Sequence, residues 1–127
     1  MADELTIAFR ASFAKGGTLE KFPNDDGSAA EFSVTVSGSR IQRFRQRISV
    51  GGTEILVAAV GGAGGWLFGV NRDATNFMSI RESFGATNLI KLKPGEPCMF
   101  RISPSATAVH AFADTANVEF DFLLIEA

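Results

Sequence analysis

The chain has 127 residues, 46% of them hydrophobic, and a formal net charge of −2. That length and apolar content suit one folded domain that needs no metal or disulfide staple, and they exclude a disordered chain. A single cysteine and a single histidine exclude a disulfide framework, a multi-cysteine zinc site and any histidine pair, and the near-balanced charge gives no whole-chain attraction to nucleic acid or anionic lipid.

Period two dominates from the start. Leu5, Ile7, Phe9, Ala11 and Phe13 alternate with Glu4, Thr6, Ala8, Arg10 and Ser12, which predicts a half-buried strand. Gly16-Gly17 and the polar stretch from Pro23 to Ser28 read as turn and loop. Phe32, Val34 and Val36 form a second run, and Ser37-Gly38-Ser39 a turn. Ile41 to Val50 is a third, with Phe44, Ile48 and Val50 on one side, and Glu54 to Val60, after Gly51-Gly52, is a fourth. The cluster Gly61-Gly62-Ala63-Gly64-Gly65 reads as a tight corner. Trp66 to Val70 and Phe77 to Arg81 are predicted strands joined as a hairpin by Asn71–Asn76. Lys93-Pro94-Gly95-Glu96 has the residues of a type II turn. Cys98 to Ile102, Val109 to Phe112 and the alternating run from Val118 complete the set.

About eight to ten short strands at near-regular spacing, with no capped 3.6-residue stripe, predict an all-β fold. An antiparallel β-sandwich, jelly-roll-like in outline, is expected as a single domain over 1–127.

Side chains that could carry chemistry are few. His110 is the sole histidine base and sits among small apolar residues, where a histidine paired with a backbone carbonyl is the expectation. Cys98, between Pro97 and Met99, reads as a small buried hydrophobe rather than a thiolate. Asn24-Asp25-Asp26-Gly27 lacks the spacing of a calcium loop and reads as a solvated turn. The glycine cluster is followed by Trp66-Leu67-Phe68 instead of the helix that a phosphate-cradling loop requires. These readings give no catalytic residue, no metal ligand and no cofactor. Twelve phenylalanines and no tyrosine point to core filling and weaken a sugar-binding reading, for which Trp66 would be the stacking platform.

The most unusual local feature is Arg40-Ile41-Gln42-Arg43-Phe44-Arg45-Gln46-Arg47. Strand alternation puts Arg43, Arg45 and Arg47 on one face, about 7 Å apart, where they repel one another. Such a face is either solvated, guarding a sheet edge against unwanted pairing, or it meets an acidic partner. Arg40, Arg43, Arg45 and Arg47 are the partner-docking candidates. Nucleic acid is disfavoured because no aromatic residues interleave on the arginine face.

Three segments, residues 64–80, 92–101 and 118–122, resemble small β-sandwich virion proteins of tailed bacteriophages. This is the class of capsid cement or decoration proteins and of small neck or tail accessories. The resemblance covers roughly residues 50–127. It implies a non-enzymatic structural protein whose partner is the major capsid protein of the same phage, with self-association into a dimer or trimer. It implies a place in the virion after assembly in the host cytoplasm. The acidic opening Met1-Ala2-Asp3-Glu4 and the lack of any apolar run near the ~20 residues that span a bilayer fit a chain with no leader and no membrane partner. A neck, tail or baseplate part is the alternative within this class, and a carbohydrate-binding module the alternative outside it.

Overall fold

Alternating sequences without helical caps leave the sheet as the way to satisfy backbone amides, and the computed structural model is built of antiparallel strands. It describes residues 4–36, 41–56, 65–103, 106 and 108–126. By contact the chain divides into two compact units, 1–37 and 38–127.

The first unit is a ribbon. The single strand expected from Leu5 to Phe13 is two, β1 (Glu4–Phe9) and β2 (Ala11–Lys15), interrupted at Arg10. The chain returns through β3 (Thr18–Phe22) and β4 (Ala30–Thr35), with β2 paired to β3 and β1 to β4. Gly16 and Gly17 join β2 to β3 with φ of 60° and 83°. Two successive positive φ values define a type I′ turn, whose twist matches that of the strands it connects. The loop after β3 is held by its own side chains: Ser28 donates to Asp26 Oδ1 from its amide at 2.9 Å and its hydroxyl at 2.7 Å. Those hydrogen bonds hold the Asp26 carboxyl below its usual range. The register places Leu5, Ile7 and Phe9 on one face with Val34, Phe32 and Ala30. The Phe9 and Phe22 rings lie 6.1 Å apart, carrying that apolar stripe on towards β2 and β3.

The second unit is the sandwich. Its strands are β5 (Ile41–Ile48), β6 (Thr53–Leu56), β7 (Gly65–Asn71), β8 (Met78–Arg81), β9 (Ile90–Leu92), β10 (Pro97–Ile102), β11 (Ala108–Ala113) and β12 (Val118–Glu126). One sheet has the order β10-β7-β12-β5 and the other β6-β11-β8-β9. Pairing is nested: first strand with last, second with seventh, third with sixth, fourth with fifth. Both sheets feed one core. Leu67, Val118, Phe120, Phe122 and Leu124 come from the first, and Met78, Ile80, Val109 and Ala111 from the second.

Alternation is strict along β7. Residues 65, 67, 69 and 71 of β7 are buried and the three between them half-buried. Gly69 stands on the inner face, where a Cβ would come within 2.3 Å of the Phe120 ring. The absent side chain makes room for the phenylalanine at the centre of the core.

The segment after β7 corrects one expectation. Asn71–Asn76 does not close a hairpin, because β7 and β8 lie in different sheets. It is a corner. Its side chains bond backbone as expected: Asp73 Oδ2 accepts from the amides of Thr75 (2.9 Å) and Asn76 (2.6 Å). Those two amides hold the Asp73 carboxyl below its usual range. Asn71, fully buried, donates from Nδ2 to the carbonyls of Asn76 (2.9 Å) and Leu92 (3.3 Å), while its Oδ1 accepts from the Asp73 amide at 3.0 Å. The turn Lys93–Glu96 is a second corner, from β9 to β10. Gly95 takes φ of 80° and the Glu96 amide reaches the Lys93 carbonyl at 3.1 Å, the type II geometry. Gly95 and Glu96 also exchange backbone bonds with Asn71 at 2.8 and 3.1 Å. Asn71 thus ties together these two corners, β7 to β8 and β9 to β10, among the crossings between the sheets.

Candidate docking face

The outer face of the β10-β7-β12-β5 sheet follows from register. Arg43, Arg45 and Arg47 of β5 stand across from Leu123, Asp121 and Glu119 of β12. Further in lie Trp66, Phe68 and Val70 of β7, then Met99 and Arg101 of β10. The face is a row of cations beside a half-buried apolar stripe on a four-stranded sheet. Arg40 lies outside the described residues, as does the glycine cluster apart from Gly65.

The structure brings Arg43, Arg45 and Arg47 together as alternation predicts, and adds what the strand pattern could not show. Arg43 grips Asp121 through both Nε (3.2 Å) and Nη2 (2.9 Å). Arg72, just after the end of β7, reaches the same carboxylate at 3.5 Å. Arg45 pairs with Glu119 at 3.2 Å. Both pairs run diagonally across the ladder, one same-face step from the register neighbours. Arg47 is exposed and has no ion pair among the described residues. The mutual repulsion inferred for the arginines is therefore relieved in part within the sheet. Arg43, Arg45, Arg47 and Arg72 still outnumber Asp121 and Glu119, so the face keeps positive charge. Glu119 and Asp121 are hard to find as partners by scanning along one run, since their strand begins seventy residues after β5 ends. Only their placement at alternate positions between the apolar residues of β12 signalled an outer row.

The Arg43 side chain is 71% exposed and that of Asp121 12%. The Arg43 hydrogen bonds come first in holding the Asp121 carboxyl below its usual range, with the charges of Arg43 and Arg72 adding to them. A depressed folded-state value makes the network's contribution complete above the ordinary aspartate value of 3.8 and lost as pH falls through the lower folded value. We expect Asp121→Asn to unfold at lower urea than wild type at neutral pH, and the two midpoints to converge on acidification below pH 3.8. A gap that stays constant with pH would show that the carboxylate's charge is not what matters.

The other candidates are placed as follows. His110 Nδ1 lies 3.1 Å from the Glu82 carbonyl, which assigns the proton to that nitrogen. Its ring meets Phe84 edge-on at 4.3 Å, so it is the backbone-satisfied histidine expected. Cys98 packs against the core, and burial pushes its thiol up to about 11, the opposite of an activated nucleophile. Trp66 stacks with Phe68 at 6.2 Å, and the Arg101 guanidinium lies 5.7 Å over its ring. Among the described residues no three His, Cys, Asp or Glu side chains gather as a metal site. No family model, curated protein or solved structure matches the chain.

Proposed function

We propose that the chain is a non-enzymatic structural protein of a tailed-phage virion, a cement or decoration protein that binds the outer capsid surface and bridges neighbouring major capsid subunits. The observation that carries this reading is the outer face of the β10-β7-β12-β5 sheet. There an incompletely neutralised arginine row, with Arg47 exposed and outside every ion pair of the described residues, borders an apolar stripe. Apolar burial supplies affinity at such a face, while the cations set orientation and encounter rate against an acidic surface. Bridging two subunits makes the second contact intramolecular, so weak contacts suffice, and self-association into a dimer or trimer multiplies them. The nested strand pairing supports the jelly-roll-like outline expected of the chain. Virion proteins and lectins both use that architecture, so it supports the reading only as an analogy of fold.

The decisive experiment is co-sedimentation with purified virions. A ratio approaching that of the capsid protein supports a cement role. A few to dozens of copies per particle point to the neck, tail or baseplate, and absence from particles sinks the reading. Changing Arg43, Arg45 and Arg47 together to Gln is expected to leave the fold intact, since the three arginines are themselves exposed and Arg72 still faces Asp121, at a modest cost in stability from the lost Arg43 bonds. Attachment should weaken and lose its dependence on salt. Unchanged attachment at low ionic strength would remove the arginine row from the interface. For a carbohydrate-binding module, Trp66 would have to be an open platform. The position of Arg101 over its ring argues against one, and quenching of Trp66 fluorescence by glycans would reinstate it.

A further inference from the structure

The fold treats its sheet edges unequally. β5 is an edge of its sheet and carries Arg43, Arg45 and Arg47, charges that discourage strand addition. β2 also has a single ladder partner, β3, among the described residues, yet reads Ala-Ser-Phe-Ala-Lys with its one charge at the end. All five of its residues are exposed. Phe13 is 52% exposed and Phe22, across the ladder on the same face, 62%. A two-stranded ribbon of five-residue strands is marginal in water, and three or more strands with an apolar face are the stable form. An unguarded, apolar edge on such a ribbon is a template for another strand.

We infer that a second copy of this chain supplies that strand: β2 pairs antiparallel with β2 of its partner about a two-fold axis at Phe13, giving the four-stranded sheet β3-β2-β2-β3. The register follows from the hairpin. Lys15 and Thr18 flank a two-residue turn and so form a hydrogen-bonded pair. By alternation Phe13–Glu20 and Ala11–Phe22 are hydrogen-bonded pairs too, which turns the backbone groups of Ser12 and Ala14 away from β3. A two-fold axis at Phe13 sets Ser12 of each copy opposite Ala14 of the other, so the outward-facing groups meet one another. It brings the two Phe13 side chains together as a close, non-hydrogen-bonded pair, the favourable placement for aromatics. Each Lys15 falls opposite an Ala11, and no like charges oppose across the new ladder. A register in which the strand meets its own copy with Phe13 against Phe13 and no like charges opposed, on an unguarded edge, selects a second copy. The contact is closed by its two-fold axis, so it yields a dimer and no fibre.

Such a dimer deepens the self-association in the proposed function and rests on that reading for its role, but it is tested on the isolated protein, so its failure and that of capsid attachment are separable. The measurement is sedimentation equilibrium. Wild type is expected to be a dimer. Ser12→Glu with Ala14→Glu sets like charges opposite each other twice and should weaken the dimer about tenfold or more. Ser12→Glu with Ala14→Lys sets opposite charges in the same two places and should restore it. Both variants alter only exposed side chains and should keep the wild-type circular dichroism. A wild-type protein that stays monomeric at the highest soluble concentration overturns the inference. So does equal dimerisation of the two variants, which would place the contact elsewhere. A monomer whose β2 variants lose only capsid binding would overturn it too, and assign the edge to the capsid protein.

Discussion

Replacing Gly69 by alanine is expected to destabilise the sandwich by about 2–3 kcal/mol, the upper part of the range for overpacking a filled core. The added methyl would lie 2.3 and 2.5 Å from two atoms of the Phe120 ring, well inside contact distance. Phe120 has no exposed surface and lies between the two sheets, with its ring 5.1 Å from that of Phe122. It cannot swing outward, so either its rotamer or the β7–β12 ladder must give. A strand position would ordinarily gain from losing a glycine; here the clash outweighs that gain. The check is urea unfolding of Gly69→Ala, Phe120→Leu and the double variant. Shortening Phe120 removes the atoms that clash, so the double should be more stable than the sum of the single effects by about 1 kcal/mol or more. Strict additivity would mean that Gly69 is required for backbone reasons and not for space.

The second large effect is expected at Asn71. Asn71→Leu keeps the size of the side chain but removes its bonds to Asn76, Leu92 and Asp73. Leu92 is itself buried, so its carbonyl is left without the Asn71 partner in an apolar setting. The expected cost is about 2–4 kcal/mol, since buried polar groups stripped of partners lose about 1–3 kcal/mol each. Asn71→Asp sharpens the test. It keeps the acceptor for the Asp73 amide and aims a carboxylate oxygen at two carbonyls, which disfavours ionisation and raises the folded-state value above the ordinary one, about 3.9. Stability of that variant should therefore fall as pH rises above about 4, opposite to the behaviour expected around Asp121. If Asn71→Asp shows no such pH dependence, the Nδ2 bonds are not what holds the two corners.

Both effects concern residues whose importance is not visible in the alternation itself. Gly69 and Asn71 look like ordinary members of a strand and a turn. Their weight comes from Phe120 on β12 and Leu92 on β9, neighbours distant in sequence that the fold places beside them. The arginine row shows the same division. Its common face was legible, because alternation along one strand is a local property. Its pairing with Asp121 and Glu119 was not, because the choice of neighbouring strand is decided by closure of the whole sheet. The hairpin expected at Asn71–Asn76 failed for that reason: turn chemistry fixes where the chain bends, and the core decides which sheet the next strand joins.

What the residues determined alone was local and periodic: an antiparallel all-strand chain, its inner and outer faces, the type II turn at Pro94-Gly95, and a His110 set in an apolar run and paired with a backbone carbonyl. The tertiary structure alone decided the nested strand order, the corner role of Asn71, the partial neutralisation of Arg43 and Arg45, and the grouping of 1–37 as a ribbon with an exposed β2 edge. The physical reason is range. Steric and hydrogen-bonding preferences act over a few residues and are written in the pattern, whereas sheet pairing joins segments tens of residues apart and is chosen by which arrangement buries the most apolar surface with every inner backbone group paired.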